Sequence, residues 1–300
     1  MLTKPACARV TMSKALRSSY ALIKQTVTEW MDLGVSRMGA ALAFYTLFAV
    51  TPLFVITLAM AGLWFGEEAA RRELFGQISG LVGSEGGEAI QALVSAARKP
   101  TTGAWATVIA VGTLFVGATG VFVQLQDSLN SIWGVRRKSG QGLRNFINDR
   151  LLSFALIVGI GFLLLVSLIL SAGLAALGNF LTGVLPAQET LWQWINFGGS
   201  FGVITLLFAI IFKVLPDVKI AWRDVWIGAV LTALLFNLGK YLLGLYLGRS
   251  SVSSAYGAAG SLVIVLLWVY YSAQILFFGA KFTQIYSNRY GSHLQPAPGA

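Results

Sequence analysis

Lys240 is the residue with the most chemistry to offer, because it lies inside the apolar run FNLGKYLLGLYL, with Asn237 one turn before it and Tyr241 beside it. Holding an ion near the centre of a bilayer costs about 2.5 to 3.5 kcal/mol on insertion scales, so such a lysine needs a partner or water. No carboxylate sits at mid-depth in any other apolar run. Three roles are then open. The amine snorkels to the outer interface, it donates to helix carbonyls or polar neighbours, or it lines a cavity that admits an anionic ligand. About seven residues follow it in its run, roughly 10 Å of helix at 1.5 Å each, which is more than a lysine stem covers. Such a cavity would draw on other intramembrane polar groups, so Lys240, Asn237, Tyr241, Tyr45, Gln274 and Tyr256 form the candidate substrate-binding set.

Other kinds of chemistry have few groups to work with. The single cysteine, Cys7, leaves no intramolecular disulfide and no thiolate cluster, and the single histidine, His293, lies in a Pro/Gly-rich tail. No metal site and no cofactor is expected. A hydrolytic nuclease uses clustered carboxylates on a metal, or a histidine acid and base. The acids Glu29, Asp32, Asp127, Asp149, Asp217 and Asp224 are instead scattered, so no enzymatic activity is expected. The chain has no GxxxxGK[ST] loop with which to power transport by its own ATP hydrolysis. Gln124, Asp127 and Asn130 cluster at the end of one apolar run, where they read either as a gate or as loop capping.

The elements that carry these residues are membrane helices. With 56% hydrophobic and 11% charged residues, the solvent for most of the chain is lipid. A helix needs about 20 apolar residues to cross, because every backbone amide must be satisfied within its own segment. Six stretches qualify: Met38 to Trp64, Trp105 to Leu125, Leu151 to Leu177, Leu191 to Leu215, Val225 to Leu247 and Ser261 to Phe282. Pro52 removes one hydrogen bond from the first of them and should kink it. Gly198 with Gly202, and Gly244 with Gly248, offer small faces for close helix contact.

Charge orients the spans. Lys4, Arg9, Lys14, Arg17, Lys24 and Arg37 precede the first, and Arg136, Arg137, Lys138, Arg144 and Arg150 follow the second. By the positive-inside rule both termini are cytoplasmic. The net charge of +10 is then accounted for by topology and anionic headgroups, without nucleic acid. Residues 1–37 form a cytoplasmic segment whose Leu16, Tyr20, Ile23, Val27 and Trp30 recur at helical spacing. Their stripe either lies on the inner leaflet or packs on helix ends. Residues 38–285 form the transmembrane domain and 286–300 a disordered cytoplasmic tail. The loop 66–103 carries two short periodic pieces separated by Gly83, Gly86 and Gly87. That hairpin either caps the outer end of a cavity or is a surface excursion. The expected fold is all-α: a polytopic protein of six transmembrane helices, with an N-terminal amphipathic helix and a short periplasmic helical hairpin.

Three blocks carry a family resemblance. AALAFYTLFAVTP (Ala40 to Pro52) resembles the first span of the YihY/BrkB membrane proteins. LNSIWGV (Leu129 to Val135) sits where that family has its basic cytoplasmic loop, and FNLGKYLLGLYL followed by SAYGAAGSLVIVLLWVYYSAQILFFGA resembles its last two spans. The resemblance implies six spans in the bacterial inner membrane. The family's labels disagree: formerly ribonuclease BN, also virulence factors linked to serum resistance, also candidate transporters, including of lipids. Lys240 and the Tyr256-Gly257 pair match its recurrent positions, whereas Lys281 stands in GAKFT where the family commonly has a glutamate. The expectation is a transporter or lipid-handling protein with a polar pocket near Lys240. Its expected partners are membrane lipids and an anionic or lipid-like substrate. The competing expectation is a non-transporting envelope scaffold or partner-binding protein.

Overall fold

The computed structural model describes residues 6–97, 104–135, 189–249, 259–291 and 295–296. The expected third span, the basic loop after Val135, His293 and Tyr256 lie outside the described residues.

Helix α1 (Ala6–Asp32) meets α2 (Val35–Phe65) at Leu33 and Gly34. Gly34 adopts φ 65°, a left-handed conformation that glycine enters without a Cβ penalty, and the axes of Ser18–Asp32 and Val35–Val50 diverge there by 65°. A helix turned this far from a span is placed to run along a membrane face. The two sequence readings of α1 are divided between two of its faces. Leu22 and Thr26 are buried, while Tyr20, Ile23, Val27 and Met31 form an exposed apolar stripe. Helix α2 continues as one helix through Pro52.

Helices α3 (Glu67–Val82) and α4 (Ser84–Ala97) form the hairpin. It is not a surface excursion. Phe75 and Ile78 of α3 and Ala89, Ile90 and Val94 of α4 are buried in one cluster with Leu58 and four residues of the last two long helices: Leu247, Ile264, Val265 and Trp268. The hairpin's apolar faces therefore close one end of the bundle.

Helices α5 (Ala104–Trp133), α6 (Glu189–Val214), α7 (Trp222–Arg249) and α8 (Gly260–Tyr290) occupy the remaining expected spans. Among the described residues, Trp222–Leu247 and Gly260–Tyr290 are long and apolar enough to cross a membrane, and the bent pair of α1 and α2 makes a third if it acts as one span. Helix α8 is the hub, packing against α1, α2, α4, α5 and α7. It runs to Tyr290, past the expected tail boundary. Beyond it, β2 (Gln295–Pro296) pairs antiparallel with β1 (Val218–Lys219). The tail is thus not wholly disordered: its first residues continue a helix and two later ones fold back on the α6–α7 turn.

A second core occupies the end away from the hairpin, built from Leu129 and Ile132 of α5, Phe208 and Phe212 of α6, Val225 and Ala229 of α7, and Phe277 and Ala280 of α8. The rings of Phe208, Phe236 and Trp268 link the two cores, with centroid distances of 5.7 and 5.6 Å. Helices α7 and α8 cross on a reciprocal pair of motifs. A Cβ on Gly228 would collide with Thr283, and one on Gly279 with Thr232. Each threonine returns its hydroxyl to the glycine carbonyl one turn back in its own helix, at 2.7 Å. The small residues expected at contacts are other ones: among the described residues nothing lies within 4 Å of a Cβ built on Gly198 or Gly202, while one on Gly244 would meet Glu85 at 3.7 Å.

Candidate functional site

Lys240 is half-buried and donates from Nζ to the carbonyl of Gly80 at 2.9 Å. Gly80 lies in the last turn of α3, where carbonyls have no partner within the helix and the macrodipole is negative, so an ammonium is well placed there. Of the three roles open to Lys240, its observed contact is donation to helix carbonyls. Asn237 donates to the Ala233 carbonyl one turn back at 2.9 Å. Tyr241 is 65% exposed. Tyr45 lies on α2, edge-on to Phe44 and over Gly120 of α5. The candidate set is therefore dispersed over three helices, with Tyr256 outside the described residues.

Gln274 stands apart from that set. It lines a groove of about 220 Å³ with Trp30 of α1, Leu235, Leu238 and Leu242 of α7, and Tyr271, Ile275 and Phe278 of α8. The walls are overwhelmingly apolar. At about 100° per residue, Lys240 falls on the opposite side of α7 from the three leucines, so it does not share the groove. The Gln274 amide tucks against Gly39 of α2, where a Cβ would collide with Nε2. Both its amide atoms are buried with no hydrogen-bond partner among the described residues, as is the indole nitrogen of Trp30. A buried polar atom without a partner costs about 1 to 3 kcal/mol, which makes this a place where a ligand or water has something to offer.

One turn beyond the groove, Lys281 is 6% exposed at its side chain and pairs with Glu29 of α1 at 2.7 Å. It also donates to Gln284 Oε1 at 2.6 Å, and Gln25 donates to Glu29 at 2.8 Å. The hydrogen bond from Lys281 holds the Glu29 carboxyl below its ordinary value, outweighing partial burial, which pushes it up. Trp30 meets Phe278 edge-on at 6.4 Å, and Ser18 bonds Tyr290, so α1 is tied to α8 at three levels. Sequence reasoning missed this pair. Its available signals were a lysine within an apolar run at Lys281 and an acid next to Trp30 on an amphipathic helix.

At the hairpin-distal end, Asn130 grips Asp217 twice at 2.8 Å, donating to its carboxylate and accepting from its backbone N–H, while Gln126 donates to the same carboxylate at 3.3 Å. Gln124 donates to Ser128 along α5 at 3.1 Å, and Asp127 is exposed. Gln124 and Asn130, two of the three expected gate residues, thus bond different partners. Asp224 is buried and accepts from Ser287 at 2.9 Å, joining the start of α7 to the end of α8.

An all-helical bundle with apolar, membrane-length helices, an exposed apolar stripe on α7 (Trp226, Val230, Leu234, Leu238, Leu245) and a lateral groove defines an integral membrane protein. The chain belongs to the Virulence factor BrkB family, whose model matches residues 26–300. It is 31% identical over 258 residues to a UPF0761 membrane protein of Pseudomonas aeruginosa (strain UCBPP-PA14), covering 81% of this chain and 57% of the relative. It is 28% identical over 264 residues to a UPF0761 membrane protein of Chromobacterium violaceum (85% and 59%). To one of Kangiella koreensis it is 26% identical over 269 residues (89% and 64%). The chain thus spans less than two thirds of the length of these relatives. No solved structure matches it.

Proposed function

We propose that this protein handles lipids in the bacterial inner membrane, as a transporter or lipid-binding protein whose working surface is the groove between α7 and α8. The observation that carries this reading is the groove itself: leucine, isoleucine and phenylalanine walls suited to an acyl chain, beside the amide of Gln274, which has no partner among the described residues. The reading shifts the polar site from Lys240 to Gln274 and keeps the substrate class. Six spans with both termini cytoplasmic are part of the proposal, supported by the segregation of lysine and arginine. So is the lack of hydrolytic chemistry: Asp217 and Asp224, two acids that flank the turn between α6 and α7, each tie helices together by hydrogen bonds. A scaffold role is favoured by one observation, the seating of Lys240 on the hairpin.

Photo-crosslinking of the purified protein with a phospholipid bearing a diazirine on its acyl chain separates the two. The expected adducts concentrate on Leu238, Leu242 and Ile275 and disappear in Leu238→Trp, which fills the groove. Adducts spread evenly along the exposed face of α7, at Val230, Leu234 and Leu245 as much as at Leu238, would leave the scaffold reading standing instead.

A further inference from the structure

We infer that Lys281 anchors the anionic phosphate of a glycerophospholipid whose acyl chain lies in the groove, and that Glu29 occupies this anchor when no lipid is bound. The inference rests on the groove reading and gives it a headgroup. A buried ammonium requires an anion, and removing that anion without replacement leaves a charge in low dielectric. Here the anion comes from a separate helix: Glu29 belongs to α1, which turns away from α2 at the left-handed Gly34, and Glu29 is the more exposed partner, with 39% of its side chain exposed against 6% for Lys281. A lysine carboxylate pair of this kind can exchange its acid for another oxyanion without moving the cation, because an ammonium is a point charge with three rotatable donors.

Geometry links the anchor to the groove. Gln274, Phe278 and Lys281 follow one another along α8 at steps of four and three residues, so Lys281 continues the groove's edge about 10 Å beyond Gln274. The reciprocal contacts of Gly228 with Thr283 and Gly279 with Thr232 place Lys281 level with residues 228–232 of α7, just past the groove's Leu235 end. Trp30 closes the gap between the two, with its indole N–H directed to no described partner, and it moves with Glu29 because they are adjacent in α1. An acyl chain between the leucines would therefore bring its headgroup to Lys281 through the contact that Trp30 and Glu29 now make.

The full chain, purified in detergent, is titrated with fluorescent phosphatidylglycerol and fluorescent phosphatidylcholine. Both lipids carry the phosphate, but in phosphatidylcholine the choline cation already neutralises it, so the wild type is expected to prefer phosphatidylglycerol, whose phosphate has no cation of its own. Lys281→Met should lose that preference by about tenfold, the scale of one charge-assisted contact. Lys281→Arg should retain it, and Glu29→Gln, which removes the competing carboxylate, should strengthen phosphatidylglycerol binding alone. An unchanged preference in both Lys281→Met and Glu29→Gln would overturn the anchor. So would a Glu29→Gln variant that loses phosphatidylglycerol as Lys281→Met does, since the pair would then be acting only to hold α1. Displacement of phosphatidylglycerol by excess inorganic phosphate would assign the site to a soluble anion. Leu238→Trp tests the groove separately: it should weaken both lipids, and retention of both would sink the groove reading whatever Lys281 does.

Discussion

Two ammonium groups sit in the last two long helices, and they are held in opposite ways. Lys240 of α7 is half-buried and rests on a neutral backbone carbonyl at the end of α3. Lys281 of α8 is buried and faces a carboxylate brought in by α1. The first contact joins one element of the hairpin to the bundle and uses only the dipole of a helix end. The second holds a full counter-charge on a helix that meets the bundle at a sharp turn. A cation on a carbonyl has nothing to exchange, whereas a cation on a removable acid does, which is why the proposed anchor is Lys281 and not Lys240.

The comparison presupposes that α7 and α8 cross at one fixed distance, and the largest expected effect comes from breaking that. Gly279→Leu places a side chain against Oγ1, Cβ and Cγ2 of Thr232, where no space exists. Overpacking of this kind costs about 3 kcal/mol or more when backbones must separate. The expected outcome is a protein that elutes as aggregate or with a strongly lowered Tm in detergent. A monodisperse variant with wild-type Tm would show that the reciprocal glycine and threonine motifs do not set the crossing.

Next in size are the two lysine contacts themselves. Glu29→Ala leaves Lys281 with Gln284 alone and is expected to cost about 2 kcal/mol, reduced from the figure for a fully buried pair because Glu29 is partly exposed. Lys240→Met is expected to cost about 1 kcal/mol or less, because the carbonyl it leaves is at a helix end and the apolar stem is preserved. Adding Lys281→Met to Glu29→Ala should recover much of the loss, which no second change should do for Lys240. Thermal unfolding of the wild type and these three variants in one detergent measures this. Equal losses at the two lysines would erase the distinction.

How much of this was legible in the sequence follows from the range of the interactions. Span positions were readable, since α2, α6 and α7 begin and end within a few residues of the apolar stretches, because hydropathy is a local property. The hairpin was legible as two helices but not as a cap, since nothing in its own periodicity says what covers Phe75 and Val94. Lys240 was conspicuous because it interrupts an apolar run, yet its partner is a backbone carbonyl, which has no sequence signature. Lys281 was visible as a lysine at the end of an apolar run and as a departure from a family pattern, but its partner Glu29 lies some 250 residues away along the chain. The Gly228–Thr232 and Gly279–Thr283 motifs were in plain view, but small residues four apart recur throughout the chain, and only tertiary contact distinguishes these from Gly198 and Gly202.

The smallest expected effect sharpens the comparison by charge alone. Glu29 is held below its ordinary value by Lys281, with Gln25 assisting and burial opposing, and Gln284 is the other group on the ammonium. A carboxylate whose folded value is depressed contributes stability fully above its unfolded value and loses it as pH falls through the folded one. The contribution is therefore complete at neutral pH, begins to fall in the ordinary carboxylate range, and is gone below the lowered value of Glu29. Because 39% of the Glu29 side chain is exposed, solvent screening limits the effect to about 1 kcal/mol. The measurement is the gap in Tm between wild type and Glu29→Gln as pH is lowered from neutral, a difference that cancels every other carboxylate. The gap should close with acid, and Lys240→Met should show no such convergence, since the group it removes does not titrate against an acid. A gap that stays constant to low pH would mean that Glu29 holds Lys281 by hydrogen-bond geometry rather than by its charge, and the exchange of one anion for another at this site would lose its driving force.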